Sequence, residues 1–225
     1  MLRRFNDVYS DVPTAWIDVE TTGIRPGYDR AVQVGIARFE RGRIVEAYES
    51  LVYPGIRIPK EATDIHGITD EMVNGMPSIS EVWSRPSVQN LVSGAQPAAY
   101  NGPFDRHFVP PFGDDWTWPW IDCLSLVRVV DRFSRGNGRH KLANACARHG
   151  VELVGAHGAR ADATAAGTLF YRLMSGIIAE EFGDELQSEF GPRPTIGELL
   201  YWQRLAEAHE WQRFTSWLST QPARA

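Results

Sequence analysis

The chain has 225 residues, of which 43% are hydrophobic and 23% charged, so it is long and apolar enough for one sizeable globular core. Its formal net charge of −5 excludes an overall basic surface of the kind that usually marks nucleic-acid binding, although local basic patches remain compatible with that total. Only Lys60 and Lys141 are lysines, an arginine bias that we attribute mainly to genome composition and secondarily to phosphate contact.

The sequence carries no pattern for secretion or membrane insertion. The first residues, MLRRFNDVYSDVP, contain two arginines without an apolar run behind them, and no apolar segment is long enough to cross a bilayer. Cys123 and Cys146 match no metal-ligand spacing, so we expect two free, buried thiols in a reducing compartment. These patterns predict a cytoplasmic protein without membrane contact.

The first half of the chain predicts strands interrupted by short helices. The first three strands include a hairpin that turns at Arg-Gly-Arg, because apolar residues alternate on both sides of that turn. One helix contains Pro86 and begins at a cap formed by Ser78 or Ser80. The predicted elements are a first strand at 14–19, the hairpin strands at 30–40 and 43–54, a short helix with turns at 59–73, the helix with Pro86 at 78–93 and a buried strand at 97–102.

The second half predicts mainly helices, interrupted by one strand and a loop. A helix starts at Phe104 and is stopped by Pro110 and Pro111. A basic, flexible loop covers residues 134–141. The remaining elements are a strand at 116–123, helices at 124–133, 142–150 and 159–180, and a loop at 182–194. Strands alternating with helices predict an α/β fold whose mixed sheet has helices on its faces.

The tail differs in character and predicts a helical extension at residues 176–225, after a domain at residues 1–175. A capping box from Thr195 to Glu198 opens a helix over 195–219. Its apolar face is interrupted by Gln203, Glu207 and Glu210, which indicates either one helix with a polar notch or two helices broken near His209. We favour packing on the parent domain over a docking role, because apolar stripes usually face a core. The predicted face consists of Ile196, Leu199, Leu200, Trp211, Phe214, Trp217 and Leu218.

Two carboxylates stand close together in the first predicted strand. Because alternate side chains of a strand point to the same side, Asp18 and Glu20 are expected about 7 Å apart on one side. Their repulsion has to be offset by a proton, a salt bridge or a metal ion.

Two later acids and a histidine bear on that choice. Asp105 stands at the start of a helix after a short strand, and Asp162 near the start of the long helix. His157 precedes Asp162 by five residues, which is about 140° of rotation within a helix. We therefore expect His157 on the loop before the helix, where it can reach the same site. Asp105 alone could equally be a helix-capping acid.

Three segments together resemble the motifs of the DEDDh exonuclease superfamily, the 3′-to-5′ exonucleases typified by the proofreading epsilon subunit of bacterial replicative polymerase and by RNase T. A single such motif occurs often by chance, but three in the family order are specific. IHGITDEMV at 65–73 and WIDCL at 120–124 add to the resemblance, which covers roughly residues 14–173. The three segments are DVETTG at 18–23, YNGPFD at 100–105 and HGARAD at 157–162.

The resemblance implies a ribonuclease H-like fold with a five-stranded mixed sheet, flanking helices and a central first strand. Gln33 stands where many relatives have an acid, and we expect it to be structural. The C-terminal fifty or so residues have no recognised counterpart in the family.

The resemblance also implies a mechanism with two divalent cations, Mg²⁺ or Mn²⁺. Oxygen-rich carboxylate sites suit these hard ions and argue against zinc. By resemblance, Asp18, Glu20 and Asp162 hold the first ion, while Asp18 and Asp105 serve the second. His157 would take a proton from the attacking water, and the product would be a nucleoside 5′-monophosphate.

Further residues resemble those that surround the terminal nucleotide in the family. Phe104 would stack on a base, while His66 is as well explained by a local turn hydrogen bond. His140, beside Arg139 and Lys141, is a rival base but lacks the spacing to Asp162, and its loop reads better as a phosphate contact. The predicted substrate contacts are Thr21, Thr22, Gly23, Ile65, His66, Asn101 and Phe104.

We therefore predict a metal-dependent 3′-to-5′ exonuclease acting on single-stranded 3′ ends, with DNA favoured, in proofreading or end-trimming. An RNA end-trimming exoribonuclease is the alternative, because no residue reveals a choice at the 2′-hydroxyl. A non-catalytic nucleic-acid-binding subunit ranks below both, since all four acids and the histidine are present. The predicted protein partners through the C-terminal helix are a polymerase, another protein or a second copy of the chain.

Overall fold

The computed structural model describes residues 4–111, 119–181, 188 and 191–219, with the side chains of 209–219 left undescribed. The strands are β1 Thr14–Thr21, β2 Ala31–Glu40, β3 Arg43–Leu51, β4 Gln96–Ala99 and β5 Ile121–Asp122. The helices are α1 Lys60–His66, α2 Asp70–Val73, α3 Ile79–Trp83, α4 Pro86–Val92, α5 Gly102–Asp105, α6 Cys123–Val130, α7 Leu142–Arg148, α8 Ala159–Ile178 and α9 Ile196–Ser219.

The strands form one mixed sheet in the order β3-β2-β1-β4-β5. β1, β2 and β3 pair antiparallel, and the turn between β2 and β3 uses Arg41 and Gly42 at φ angles of 51° and 74°. β4 pairs parallel to β1, and β5 pairs parallel to β4. Parallel neighbours need crossover connections, and the helices provide them. The five-stranded mixed sheet with a central first strand is confirmed.

Each face of the sheet carries a hydrophobic core. α8 packs on one face, over Trp16 and Phe39, whereas α3 and α4 cover the other face. The close packing of α8 on the sheet requires a small residue at Gly167, because a Cβ atom there would lie 2.5 Å from the Phe39 ring. α8 therefore lies close enough to the sheet to bring its first turn to the end of β1.

The single helix predicted over 78–93 is wrong, because the structure has two helices there. Ser78 caps α3 in a capping box with Glu81, as one of the two predicted caps. Arg85 is extended and Pro86 occupies the start of α4. The ring of proline disfavours a helical conformation in the preceding residue, so the helix ends and a new one begins.

Several predicted boundaries shift where prolines and short strands are involved. β4 ends at Ala99, and α5 ends at Asp105 rather than running to Pro110. β5 is only two residues long, and residues 116–118 of the strand predicted at 116–123 lie outside the described residues. Most of the loop predicted at 182–194 lies outside them as well.

α9 is one continuous helix, which decides between the two predicted alternatives. Its capping box is confirmed, with the Glu198 carboxylate accepting from the Thr195 N–H at 2.7 Å. Ile196, Leu199 and Leu200 are buried in the same core as α8. An isolated antiparallel β-bridge between Val8 and Thr195 fixes the backbone just before the helix. The side chains of the other predicted face residues, Trp211, Phe214, Trp217 and Leu218, and of Glu210, lie outside the described part.

The polar notch of α9 has a structural use at the edge of the sheet. The Gln203 side chain accepts from the Asp122 N–H at 2.9 Å and donates to the Trp120 carbonyl at 3.2 Å. These are the groups that a further strand would pair with, so the helix closes the edge at β5. The division into a domain at 1–175 and an extension at 176–225 stays a prediction.

The two cysteines agree with their prediction, since Cys123 and Cys146 are buried and free. Within the described residues, no helix is both long and apolar enough to cross a membrane.

Candidate active site

Asp18 and Glu20 project from the same face of β1, as expected from their spacing. Across the antiparallel pair, Asp18 lies opposite Gly35 and Glu20 lies opposite Gln33. This is the face covered by α8, so the two carboxylates lie where the end of β1 meets the start of that helix.

Gly35 lets the start of α8 come down onto the sheet. A Cβ atom at this position would lie 2.1 Å from the Ala159 carbonyl carbon, which no side chain tolerates. The close approach brings Asp162, in the first turn of α8, beside Glu20. A glycine in the middle of a strand thus positions an acid that is 127 residues later in the sequence.

Two side chains from the hairpin fix that helix start. The Gln33 amide oxygen accepts from the Ala159 N–H at 3.0 Å, and a Glu49 carboxylate oxygen accepts from the Arg160 N–H at 3.1 Å. Both satisfy N–H groups that the first turn of a helix leaves without partners. Gln33 therefore holds the start of α8 in place, in agreement with the structural role expected for it, and its contact reaches the segment next to His157.

His157 lies on the loop before α8, as predicted, and not in the helix. Its backbone φ angle is 67°, in the left-handed region that few residues other than glycine occupy. Possible ligand atoms of Glu20, His157 and Asp162 all lie within 4.8 Å of one another. The loop conformation thus brings the histidine to the acids, whereas His140 is absent from this cluster of described residues.

Asp105 completes the set from α5, the short helix that follows β4. Only 3% of its surface is exposed, and one carboxylate oxygen accepts from the Val19 N–H at 3.2 Å. Val19 lies between Asp18 and Glu20, so this bond ties α5 to the acidic stretch of β1. The structure brings all four predicted acids together at one end of the sheet.

Burial raises the pKa of every acid in the group, and neighbouring carboxylates raise the pKa values of Asp18, Glu20 and Asp105 further. The pKa values of Asp18 and Asp105 rise well above their usual range, chiefly because both side chains are buried. Burial and the Asp162 charge raise the pKa of Glu20 to about 7. Burial also raises the pKa of Asp162, although the nearby His157 opposes that shift. Four carboxylates in this state would take up either protons or cations.

The donor set fits a divalent cation. One carboxylate oxygen of Asp162 is buried and has no hydrogen-bond partner, which is costly unless a cation or another donor approaches it. Oxygen donors dominate the group, and Mg²⁺ and Mn²⁺ prefer such donors. Asp18, Glu20, Asp105 and Asp162 are the residues that would hold such ions.

The loop after β1 is stabilised from within. The Thr21 hydroxyl donates to the Gly23 carbonyl at 2.6 Å, and the buried Thr22 hydroxyl accepts from the Arg30 N–H at 3.1 Å. A Cβ atom at Gly23 would lie 2.7 Å from the Asp29 carboxylate, so the glycine permits a tight loop. The hydroxyl of Thr22 is thus occupied by the loop, and its backbone N–H donates to the Arg30 carbonyl at 2.9 Å.

The other predicted substrate contacts surround the same end of the sheet. Ile65 is 62% exposed at the end of α1. The Nδ1 atom of His66 accepts from the Ile68 N–H at 3.0 Å, which is the local turn bond considered from the sequence. Asn101 is exposed, and Phe104 packs against Phe108 with ring centroids 4.9 Å apart. Their roles toward a substrate stay predictions.

Sequence reasoning missed Glu49 and Asp122. Asp122 is buried and accepts from the Gly102 N–H at 3.3 Å and from the Ser125 hydroxyl at 2.7 Å, so it holds the start of α5 in place. An aspartate between a strand and a helix is a usual cap signal and could have identified it. Glu49 gave no such signal, because its partner is 111 residues away.

Comparison with known proteins identifies relatives over most of the chain. A family profile described as Exonuclease, RNase_T, matches residues 15–170. A DNA polymerase III subunit epsilon-like protein of Rhodobacter capsulatus is 36% identical over 171 residues, which cover 72% of this chain and 24% of that relative. A PolC-type DNA polymerase III of Thermotoga maritima is 30% identical over 162 residues, covering 64% of this chain and 12% of the relative. The chain spans less than a quarter of either relative's length.

Solved structures share the fold. Exonuclease X in complex with 5′ overhanging duplex DNA is 25% identical with a TM-score of 0.56, covering 77% of this chain and 99% of that chain. E. coli exonuclease I in complex with a dT13 oligonucleotide is 18% identical with a TM-score of 0.59, covering 75% and 44%. The nuclease domain of 3′hExo, a DEDDh family member bound to rAMP, is 17% identical with a TM-score of 0.57, covering 75% and 94%. These likenesses confirm the predicted ribonuclease H-like fold.

Proposed function

Because the chain belongs to the exonuclease family, in its DnaQ-like DEDDh branch, we propose that it is a metal-dependent 3′-to-5′ exonuclease acting on single-stranded 3′ ends. The proposed products are nucleoside 5′-monophosphates. The whole protein's activity, substrates and partners are part of this proposal, since the chain spans only 12% to 24% of the two relatives described above.

One observation carries the proposal more than any other. Four carboxylates and one histidine, from β1, α5, α8 and the loop before α8, meet at one end of the sheet, and Glu20, His157 and Asp162 come within 4.8 Å of one another. A binding module has no need for buried carboxylates that raise one another's pKa, because each one costs stability. Metal-assisted hydrolysis of a phosphodiester uses such a group to hold its cations.

In this mechanism His157 accepts the proton of the attacking water. Its exposed position on the loop lets it face the substrate side of the carboxylates. The loop at Thr21, Thr22 and Gly23 would orient the terminal nucleotide, and Phe104 would stack on its base. Asp18, Glu20, Asp105 and Asp162 would hold two divalent cations. When bound, such ions polarise the phosphodiester and stabilise the leaving 3′-oxygen as Lewis acids.

We propose DNA as the favoured substrate. The two curated relatives bear DNA polymerase III names, and exonuclease X and exonuclease I are described with DNA. Trimming of RNA ends is the second candidate, favoured by the likeness to a nuclease domain bound to rAMP. We further propose that the protein proofreads beside a polymerase or forms a homodimer through α9. The cations would be Mg²⁺ or Mn²⁺.

The test uses 5′-labelled single-stranded DNA and RNA of one sequence, with Mg²⁺, Mn²⁺ or chelator, and an Asp18→Ala variant as control. We expect stepwise shortening from the 3′ end, faster on DNA, abolished by chelator and reduced at least about 100-fold in the variant. Shortening that survives chelator or Asp18→Ala would contradict the site. No cleavage of either strand in either metal would contradict the function and favour a non-catalytic subunit.

A further inference from the structure

The segment between α6 and α7, residues 132–141 and here named the basic loop, has a charge opposite to that of the whole chain. Arg132, Arg135, Arg139 and Lys141 are all exposed, and the sequence contains no acid from 132 to 151. The preceding Asp131 is buried and is bound by Arg148 and His149, so it does not neutralise the loop. The chain as a whole carries a net charge of −5.

The basic loop also presents an aromatic ring to solvent. Phe133 is 81% exposed, and the guanidinium carbon of Arg132 lies 4.9 Å from its ring centroid. A phenylalanine this exposed buries little apolar surface, and a ring beside a guanidinium can stack on a nucleobase.

The backbone of the basic loop is held in a defined turn. Gly136 and Gly138 have φ angles of 97° and 67°, which other residues rarely adopt. The Gly138 carbonyl accepts from the Lys141 N–H at 2.8 Å and from the Asn144 side chain at 2.9 Å. The turn therefore presents its cationic side chains from a fixed backbone.

One end of the basic loop, at His140, contacts the segment between β4 and α5. The Tyr100 hydroxyl donates to the His140 carbonyl, and Tyr100 directly precedes Asn101 and α5. α7 follows the loop and packs on α8, the helix that carries Asp162. The loop is thus attached next to two of the elements that build the site.

We propose that the basic loop binds the single strand upstream of its 3′ nucleotide, with Arg135 and Arg139 on phosphates and Phe133 stacked on a base. This inference rests on the proposed exonuclease function. Four clustered carboxylates on a negatively charged chain repel a nucleic-acid strand. Salt screens charges more than about 10 Å from the strand, so only nearby charges change its binding. Local cations beside the site offset that repulsion and retain the strand between successive cuts.

The experiment compares a long strand with a substrate that has no upstream nucleotides. Anisotropy measures the affinity for single-stranded DNA of about 20 nucleotides in chelator, where turnover stops. Hydrolysis of the p-nitrophenyl ester of thymidine 5′-monophosphate, with Mn²⁺, measures the active site alone. The variants are Arg135→Ala/Arg139→Ala and Phe133→Ala. The matched control is Arg41→Ala/Arg43→Ala, which removes the same charge from the exposed hairpin turn at the other end of β2.

We expect the double loop variant to lose at least about tenfold in affinity for the long strand and to lower the slope of log affinity against log salt by about 1.4, for two phosphate contacts. Phe133→Ala should lose at least about fivefold, with an unchanged salt slope. Ester hydrolysis should stay within about twofold of the parent in all three variants. Equal losses in the loop variant and in the hairpin control would overturn the inference. A parent that binds the strand through the loop but does not hydrolyse the ester would instead refute the proposed catalysis.

Discussion

At the scale of single residues, the acids of the site are kept close by the fold at a cost in stability. Burial and the Asp162 charge raise the pKa of Glu20 from 4.5 to about 7. The folded state therefore binds this proton more tightly than the unfolded state does. The resulting stabilisation is complete below the ordinary value of 4.5 and is lost as the pH rises through about 7.

We predict that the cation-free protein becomes less stable as the pH rises from about 5 to about 8, and that Mg²⁺ or Mn²⁺ reverses this loss by neutralising the carboxylates. Calorimetric Tm values across this range, with chelator and with excess Mn²⁺, check the expectation. A Glu20→Gln variant should show a smaller pH-dependent loss and a weaker response to the ion. A cation-free Tm that rises with pH over the same interval would refute the electrostatic account.

Gln33 is predicted to be a positioning residue for His157 and Asp162. Gln33→Leu removes the acceptor of the Ala159 N–H, and outer contacts of this kind are commonly worth about 10- to 100-fold in activity. We expect a fall in kcat of that size per folded molecule, with KM for a small ester nearly unchanged. Gln33→Glu retains the acceptor and should restore most of the loss.

The matched control for Gln33 is Gln89→Leu, which removes a side-chain bond to the Trp83 carbonyl on the opposite face of the sheet. That change should lower stability without lowering kcat. If Gln33→Leu likewise lowers stability but leaves kcat per folded molecule unchanged, then Gln33 has only a structural role.

At the scale of elements, the sequence predicted those whose signals are local. The strand β2, the cap at Ser78, the capping box at Thr195 and the loop position of His157 all depend on neighbouring residues, and all are confirmed. The break at Arg85 was a local signal that the prediction underweighted. The contacts of Glu49 and Gln203 join positions 111 and 81 residues from their partners, so no local pattern reveals them.

The first turns of α9 belong to the core, and we predict that the protein depends on them. Ile196, Leu199 and Leu200 are at most 6% exposed, and burying each such side chain contributes about 1.5–3 kcal/mol. Their sum approaches the entire stability of a typical domain, about 5–15 kcal/mol. A chain that ends at residue 194 should therefore fail to fold, as judged by circular dichroism and thermal melting.

Ending the chain at residue 208 is the control for that truncation, because it keeps these three side chains and Gln203. This shorter chain should melt cooperatively. A folded, active chain of residues 1–194 would contradict the prediction and identify α9 as a separable docking element.

At the scale of the whole molecule, the sheet, the start of α8 and the edge at β5 together bring five chemical groups to one place. Residues far apart in the sequence, such as Gly35 beneath Ala159, make this convergence possible. The proposed function follows from that convergence, and it requires water to attack phosphorus while the 3′-oxygen of the shortened strand leaves.

The most direct measurement is hydrolysis of single-stranded DNA in ¹⁸O-labelled water with Mn²⁺, followed by mass spectrometry of both products. The account predicts one ¹⁸O atom in the phosphate of each released nucleoside 5′-monophosphate, and none in the shortened strand. Label in the shortened strand, or release of products other than 5′-monophosphates, would contradict it.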